Sequence, residues 1–306
     1  MILAENIKDR ALFEGFNKVG IVGADSLEEE GRQLKEWLTR GRHGEMSWMA
    51  RDVQKRITPQ AIFPQARSVV VVALNYFTPY QHEENAATGK VSRYAWGDDY
   101  HDVVKEKLLS LLSWIKEQDA NAEGKVCVDI QPTMDKAWAV RAGLGWLGKH
   151  SNVITPEHGS WVFIGELFLN LDLEQDFERM EDHCGTCTLC IEACPTDAIT
   201  EPYVVDSTKC ISYATIELRS PELPEQIVEN LSGWLYGCDI CQDVCPWNRF
   251  EEPATETRFG PREGNINADL DDIIAMDQET YAARFRGSSM KRTKLSGLKR
   301  NARALG

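Results

Sequence analysis

The sequence predicts a mixed α/β domain, a cysteine-rich α+β module and a short helical C-terminal segment. Residues 1–175 alternate between helical and strand-like hydrophobic patterns, and eight of the nine cysteines lie between positions 184 and 245. The last 23 residues, from Arg284 onward, hold eight Lys or Arg and no acid. We therefore expect three parts: an α/β domain at 1–175, the cysteine-rich module at 176–250, and a loop, helix and basic tail at 251–306.

The elements of the first domain follow in order. We expect a helix near 4–17, a short strand in KVGIVGA, and a helix in EEEGRQLKEWL that begins with a capping box of Ser26 and Glu29. The β-branched run RSVVVVALNYF predicts a strand covered on both faces. HDVVKEKLLSLLSWIKEQ predicts an amphipathic helix, with one apolar stripe formed by Val104, Leu108, Leu111 and Ile115.

The remaining elements are a strand in KVCVDI, a helix in MDKAWAVRAGLG that ends at Gly143 or Gly145, and a strand at 160–171. The acidic stretch DLEQDFERMEDH predicts a linker, and residues 251–265 predict a long surface loop. ADLDDIIAMDQETYAARF then predicts one or two helices before the basic tail.

Composition indicates an ordinary globular chain, 42% hydrophobic and 27% charged. The most apolar run, at 68–74, is too short to span a bilayer, and the acidic N-terminal stretch does not resemble a secretion signal. We therefore expect a cytoplasmic location and no membrane partner. In that compartment clustered cysteines indicate metal binding rather than disulfides.

One cysteine run has the spacing C-x2-C-x2-C-x3-C-P, formed by Cys184, Cys187, Cys190 and Cys194. This is the bacterial ferredoxin pattern, in which three thiolates bind one 4Fe-4S cluster and the fourth binds the other cluster. Zinc sites usually leave a longer gap after the first pair, so the spacing favours iron–sulfur over zinc.

A second run, C-x2-C-x3-C-P, contributes Cys238, Cys241 and Cys245. Exchange of the last cysteine of each run predicts a first cluster bound by Cys184, Cys187, Cys190 and Cys245. The second is then bound by Cys194, Cys238 and Cys241, with Cys210 as candidate fourth ligand. Cys127, in an apolar strand, is expected to be a buried residue. Paired clusters are typical of an electron path, and a purely structural role is the alternative.

Several motifs together resemble the epoxyqueuosine reductase family, cobalamin and iron–sulfur enzymes of queuosine-tRNA synthesis. They are RYAWGDDYHDVV, the VD of KVCVDI, RAGLGWLGK, ITPEHGSWVFIGEL, both cysteine runs and KCIS, and the resemblance extends from about residue 16 to 303. Longer family members continue into helical repeats after RNARA, so the resemblance is to a short form without them.

The resemblance implies a nitroreductase-like fold in the first domain and a base-off cobalamin close to one cluster. The D-x-H-x-x-G signature of a cobalt-binding histidine is missing, because the string that starts at Asp99 lacks the glycine. The implied cofactor-binding residues are Arg56, Ser92, Tyr94, Asp99, His101, Asp129, Val153 and Ile164. Val153 and Ile164 could equally well be residues of the hydrophobic core that do not contact the cofactor. Trp96 and Trp146 could likewise be core aromatic residues.

The implied reaction reduces epoxyqueuosine to queuosine at the tRNA wobble position, with electrons passing from an external low-potential donor through the clusters to cobalamin. The oxygen of the opening epoxide requires a proton donor, and a carboxylic acid whose pKa is raised by burial suits that role. The family's VD motif assigns the donor to Asp129. Asp135 competes, although a helix-dipole partner is its simpler interpretation.

The net charge of −14 argues against nucleic acid, but without the tail the remainder carries −22, so the tail is a local basic surface. Charge alone favours a solvated terminal helix; the implied tRNA substrate makes phosphate binding the prediction. The residues concerned are Arg284, Arg286, Lys291, Arg292, Lys294, Lys299, Arg300 and Arg303.

Two other functions compete with the reductase. One is an electron-transfer protein, a two-cluster ferredoxin fused to a docking domain, which has no need of the motifs at 92–161. The other is a reductive dehalogenase-like enzyme, which the basic tail and the lack of an export signal oppose.

Overall fold

The computed structural model describes residues 3–176 and 180–306, so residues 177–179 of the predicted linker lie outside the described residues. The strands of the described chain are β1 (Lys18–Gly23), β2 (Ser68–Asn75), β3 (Thr88–Val91), β4 (Gly124–Cys127), β5 (Trp146–Leu147), β6 (Val153–Ile154), β7 (Val162–Leu169), β8 (Ile199–Glu201), β9 (Val204–Val205), β10 (Trp234–Tyr236) and β11 (Asn267–Asp269).

The α-helices of the same residues are α1 (Ala4–Phe13), α2 (Glu28–Thr39), α3 (Ser47–Ala50), α4 (Val53–Ile57), α5 (Tyr100–Gln118), α6 (Asp135–Arg141), α7 (Leu189–Glu192), α8 (Ile211–Ile216), α9 (Glu225–Val228), α10 (Ile240–Asp243), α11 (Leu270–Ala275), α12 (Gln278–Arg284) and α13 (Lys294–Leu305). Among them, none has the length and apolar character needed to cross a bilayer.

The main sheet is antiparallel, with strand order β1-β2-β7-β4. All eight residues of β2 are buried, as its continuous apolar run predicts. Val70 and Val72 pack with α1 and α5 on one side, whereas Val69 and Val71 pack with α6 on the other. The sheet is therefore covered on both faces, and the mixed α/β class is confirmed.

A second sheet has the order β10-β3-β11, with β10 parallel and β11 antiparallel to β3. Its three strands come from the three predicted parts of the chain. The boundaries predicted near 175 and 250 therefore do not separate independent sheets. This sheet packs against α11, α12 and α13 and joins the cysteine-rich module to the first domain and to the C-terminal segment.

Several local predictions are confirmed and one is wrong. The stripe of α5 is fully buried, and α6 ends at Arg141, just before Gly143 with φ of 69°. The predicted capping box does not form, because α2 begins after Leu27 and no side chain caps it. Leu27 is completely buried and its backbone N–H binds the Ile57 carbonyl at 2.8 Å, so core packing sets the start of this helix.

Candidate functional site

Asp129 lies in the loop between β4 and α6 with φ of 52°, in the left-handed region. This conformation turns its carboxylate toward the N-terminus of α5. The side chain is 58% exposed, and its Oδ2 accepts a hydrogen bond from the Tyr100 hydroxyl and lies 3.4 Å from His101 Nε2. The carboxylate is thus accessible from solvent while two side chains fix its position.

His101 lies between two carboxylates. Its Nδ1 is 2.6 Å from Oδ1 of Asp99, which also caps α5 by accepting the His101 backbone N–H at 3.1 Å. Burial disfavours the charged imidazole, but the hydrogen bonds to Asp129 and Asp99 outweigh burial and raise the pKa of His101 to about 9. At neutral pH the ring is therefore an imidazolium that donates from both nitrogens.

The pKa of Asp129 is lowered, not raised. Burial pushes this pKa upward, but hydrogen bonds from His101 and Tyr100 stabilise the carboxylate and outweigh burial. The expectation of a donor with a raised pKa is therefore wrong for Asp129. The proton of this site resides on His101, hydrogen-bonded to the carboxylate.

Acids with raised pKa values lie behind the Asp129 loop. Asp135 Oδ1 accepts the Thr133 hydroxyl at 2.9 Å and the Asp129 N–H at 3.4 Å, and burial followed by repulsion from Asp129 raises the pKa of Asp135. Glu166 of β7 is fully buried, and burial together with Asp135 raises its pKa well above the ordinary value. Sequence reasoning missed Glu166, although one glutamate in an apolar strand was a visible signal.

Arg56 supports the same loop from α4. Its side chain donates to the Thr133 carbonyl at 3.5 Å and to the Trp48 carbonyl at 3.2 Å. Its Nε is buried and has no hydrogen-bond partner among the described residues. Because buried donors are normally paired, this N–H fits an acceptor oxygen such as an amide of a bound corrin.

Ser92 and Tyr94 lie where the first domain meets the cysteine-rich module. Ser92 Oγ is 2.5 Å from Oδ1 of Asp239, the residue that follows Cys238. The Tyr94 hydroxyl donates to that of Tyr236, with the oxygens 3.1 Å apart. These contacts bring two predicted cofactor residues to the loop of the second cysteine run.

Of the two apolar cofactor candidates, Val153 lies in the core and the half-buried Ile164 packs against it. Val153 is 3% exposed and pairs with Leu147, and Ile164 pairs with Ala73 in the main sheet. Both pack in the same hydrophobic cluster. Their packing role is evident, and contact with a corrin stays a prediction.

The first set of four cysteines surrounds a cavity of about 160 Å³. Cys184, Cys187 and Cys190 come from the first run, and Cys245 comes from the second. Burial, then the neighbouring Cys245 thiol, raises the pKa of Cys190 to about 11. The structure thus brings together the four cysteines that the exchanged pattern predicts.

The second set is also grouped. Burial raises the pKa of the Cys241 thiol, and so do nearby Cys210, Cys190 and Cys194. The pKa of Cys238 is likewise raised by burial and by Cys241 and Cys210. The two sets are therefore adjacent, and Cys210 lies with the second.

No three His, Cys, Asp or Glu side chains within 3–176 and 180–306 converge as ligands of one ion. A four-iron cluster does not require such convergence, because each of its four thiolates binds a separate iron. Cys127 lies apart from both sets, fully buried in the main-sheet core as predicted.

The basic tail forms a 3₁₀ turn at Ser289–Thr293 followed by α13. Arg300 is only 8% exposed and donates to the carbonyls of Ala214, Leu218 and Ser220 at 2.8–2.9 Å. Its prediction as a phosphate contact is wrong, because intrachain carbonyls occupy its guanidinium.

Six of the other predicted basic residues of the tail offer an accessible charge, and the seventh is paired. Arg292 is exposed but bonds Glu217 through Nε at 2.7 Å. The six accessible basic residues, each exposed or half-exposed, are Arg284, Arg286, Lys291, Lys294, Lys299 and Arg303.

Comparisons with known proteins give the family to which the chain is similar. The family model described as "Epoxyqueuosine reductase QueG, DUF1730" matches residues 56–130. The one described as "4Fe-4S double cluster binding domain" matches residues 183–248, a span that contains all eight grouped cysteines. The chain is 47% identical over 278 residues to the epoxyqueuosine reductase of Synechocystis sp., covering 90% of this chain and 95% of that relative.

Two solved structures of epoxyqueuosine reductases have a closely similar fold. One, with an epoxyqueuosine-modified tRNA-Tyr stem loop, matches with a TM-score of 0.91 at 31% identity. The other, from Bacillus subtilis with its catalytic aspartate loop swung out of the active site, has a TM-score of 0.90 at 30% identity. Each match covers 98% of this chain and 80% of the other.

Proposed function

The chain belongs to the epoxyqueuosine reductase family, and from this premise we propose that it reduces epoxyqueuosine to queuosine at the tRNA wobble position. It is an oxidoreductase with a 4Fe-4S binding domain. One observation carries the proposal: the accessible Asp129–His101 site lies close to the second set of cysteines. Tyr94 connects them, because its ring centroid is 6.1 Å from that of Tyr100, which bonds Asp129, and its hydroxyl bonds that of Tyr236, two residues before Cys238.

The overall reaction consumes two electrons and two protons. Both C–O bonds of the epoxide break, a C=C bond forms, and the oxygen leaves as water. The eight grouped cysteines would hold two clusters, which would supply electrons one at a time from an external low-potential donor. Cobalamin, when bound in its base-off form, supplies reduced cobalt that can transfer these electrons to the epoxide carbon.

The chain's own residues supply the first proton. Asp129 contacts the opening oxygen, and the proton moves from His101 Nε2 through the Asp129 carboxylate to that oxygen. Burial raises the pKa of Asp99, but hydrogen bonds from His101 outweigh it, so Asp99 stays charged and orients the ring. The second proton comes from solvent, which reaches Asp129 because its side chain is 58% exposed.

Three residues are suited to hold the corrin. Arg56 offers its unpartnered Nε to an acceptor of the cofactor, and Tyr94 provides an aromatic wall beside Tyr100. Ser92 is bonded to Asp239, between Cys238 and Cys241, so a cofactor held by Ser92 would lie beside the second set of cysteines. This arrangement supports the second cluster as the immediate electron donor to cobalt.

The tRNA binds the basic tail in this proposal. A relative was solved with a modified tRNA stem loop, and the exposed tail cations suit a phosphate backbone. Arg300 is left out of this surface for the reason given above.

Asp129→Asn tests the catalytic proposal. The amide preserves the size of the side chain but cannot relay a proton, so we expect corrinoid binding to persist and turnover to be lost. Asp102→Asn, which removes a carboxylate from the first turn of α5, the helix that carries His101, is the matched control and should remain active. Full activity of Asp129→Asn overturns the proton role.

A simpler measurement separates the reductase from a ferredoxin-like electron carrier. Anaerobically reconstituted protein is mixed with cobalamin, and the visible spectrum is recorded. A shift of the corrinoid bands supports the reductase. Protein that takes up iron and sulfide but no corrinoid is instead the electron carrier.

A further inference from the structure

The wall of the first cysteine cavity contains two buried polar side chains that the reaction does not use. His150 and Lys149 lie in the turn between β5 and β6 and line the cavity together with Cys184, Cys187, Cys190 and Cys245. They are 4% and 8% exposed. Buried polar groups of this kind are rarely incidental, because each must be compensated.

The hydrogen-bonding of His150 fixes its tautomer. Nδ1 accepts the backbone N–H of Asn152 at 3.2 Å, so Nδ1 carries no hydrogen and the ring hydrogen is on Nε2. Nε2 is buried and has no partner within the described part of the chain. A donor therefore points into the cavity without a protein acceptor, which indicates that a group bound there accepts this hydrogen bond.

The ammonium of Lys149 is held against the same cavity. Nζ donates to the Gly185 carbonyl at 2.7 Å and to the Cys187 carbonyl at 2.9 Å, within the loop that carries the first three thiols. A positive charge is thereby buried beside the four cysteines. Reduction adds negative charge to a cluster, so both a nearby cation and an N–H donor favour the reduced state.

The second set of cysteines has a different environment. Asp239, 2% exposed, lies between Cys238 and Cys241, and its carboxylate accepts from Ser92 and from the Arg93 backbone at 2.7 Å. A buried carboxyl group beside the cluster does not favour added negative charge. The nearby cation on this side, Lys136, is exposed, and its Nζ donates to the Ser151 carbonyl and to Asn152 Oδ1, both at 2.8 Å, so solvent screens its charge. The two sites therefore differ in how readily each accepts an electron.

We propose that His150, through an Nε2–H hydrogen bond to the first 4Fe-4S cluster, and Lys149, through its buried charge, raise the reduction potential of that cluster above that of the second. His150 donates to a sulfide or thiolate sulfur and is a positioning and tuning residue, not a catalytic one. In a reductive titration the first cluster is therefore the one that is reduced first. This inference rests on the iron–sulfur part of the proposed function.

The test is an EPR-monitored redox titration of protein carrying both clusters. His150→Leu removes the donor, and we expect roughly a tenfold fall in the equilibrium constant for reducing the first cluster, about 59 mV for a one-electron couple. His150→Gln retains an N–H donor and should stay near the wild-type potential. Lys149→Met should lower the potential as well, whereas Lys149→Arg should not.

The second cluster is the internal control, because its potential should not move in any of these variants. An unchanged first-cluster potential in His150→Leu, with iron and sulfide content intact, overturns the inference. Wild-type protein that binds no clusters contradicts the proposed function itself, so the two failures are distinguishable.

A measurement on wild-type protein covers the case in which the leucine variant does not fold. Protein labelled with ¹⁵N-histidine and reduced at the first cluster should show a hyperfine coupling between the cluster and a histidine nitrogen in pulsed EPR. The coupling should change in His150→Gln. Absence of any histidine coupling in wild-type protein overturns the hydrogen bond.

Discussion

At the scale of single residues, the sequence singled out a candidate acid but not its protonation state. Asp129 was visible because a carboxylate after an apolar strand is conspicuous. The direction in which its pKa shifts depends on His101 and Tyr100. These residues belong to a helix about 28 residues earlier in the chain. Hydrogen bonds formed by tertiary contact therefore reversed the shift that burial alone predicts.

The charge of His101 predicts a pH-dependent contribution to stability. Folding raises the pKa of His101 from 6.5 to about 9, so its stabilising effect is complete below pH 6.5 and is lost as the pH rises through 9. The free energy of unfolding should therefore fall more for wild type than for His101→Gln between these limits. Denaturant titrations at several pH values measure the difference in unfolding free energy between the two proteins. A difference that stays constant with pH contradicts the raised pKa of His101.

Arg300 gives a second prediction at this scale. Arg300→Ala leaves the carbonyls of Ala214, Leu218 and Ser220 without their charged donor, and we expect a loss of about 3 kcal/mol in unfolding free energy. Arg303→Ala, on the exposed side of the same helix, is the control and should change stability by less than about 0.5 kcal/mol. Equal effects of the two substitutions contradict the buried role of Arg300.

At the scale of elements, long periodic segments were predictable and short ones were not. The α5 stripe and the β2 run were correct because their patterns extend over eight or more residues. The second sheet was missed, since β10 and β11 have three residues each and pair with β3 across more than 140 residues of chain. Only tertiary packing brings such strands together.

The element formed by the 3₁₀ turn and α13 predicts how tRNA binding depends on charge. Reversal of Lys291 and Lys294 to glutamate should weaken tRNA binding and reduce the dependence of log Kd on log salt by about one per lost phosphate contact. Lys125→Glu, a charge reversal at an exposed residue of the main sheet's edge strand, is the control and should leave tRNA binding unchanged. Binding and salt slope that both match wild type remove the tail from the interface.

At the scale of the whole molecule, the predicted exchange of Cys194 and Cys245 makes each cluster depend on both cysteine runs. Cys245→Ser should abolish the first cluster even though this residue belongs to the second run, because its thiol lies with Cys184, Cys187 and Cys190. Iron analysis and EPR should show one remaining cluster. Cys127→Ala, outside both sets, should retain two clusters.

The exchange also makes a contrary result easy to recognise. If Cys245→Ser and Cys238→Ser remove the same EPR signal, the two runs bind separate clusters and the assignment is wrong. The grouping of the cysteines was predictable because iron–sulfur spacing is local to the sequence. The polar residues around the first cavity were not, since His150 is distant from every cysteine in the chain.

Reduction of the modified nucleoside tests the central claim most directly. The chain, loaded with both clusters and cobalamin, is incubated with a low-potential reductant and epoxyqueuosine-containing tRNA, and the nucleosides are then analysed by mass spectrometry. We expect wild type to yield a nucleoside lighter by one oxygen atom, and Asp129→Asn at equal cofactor loading to leave epoxyqueuosine intact. Unreacted epoxyqueuosine with fully loaded wild type would contradict the claim.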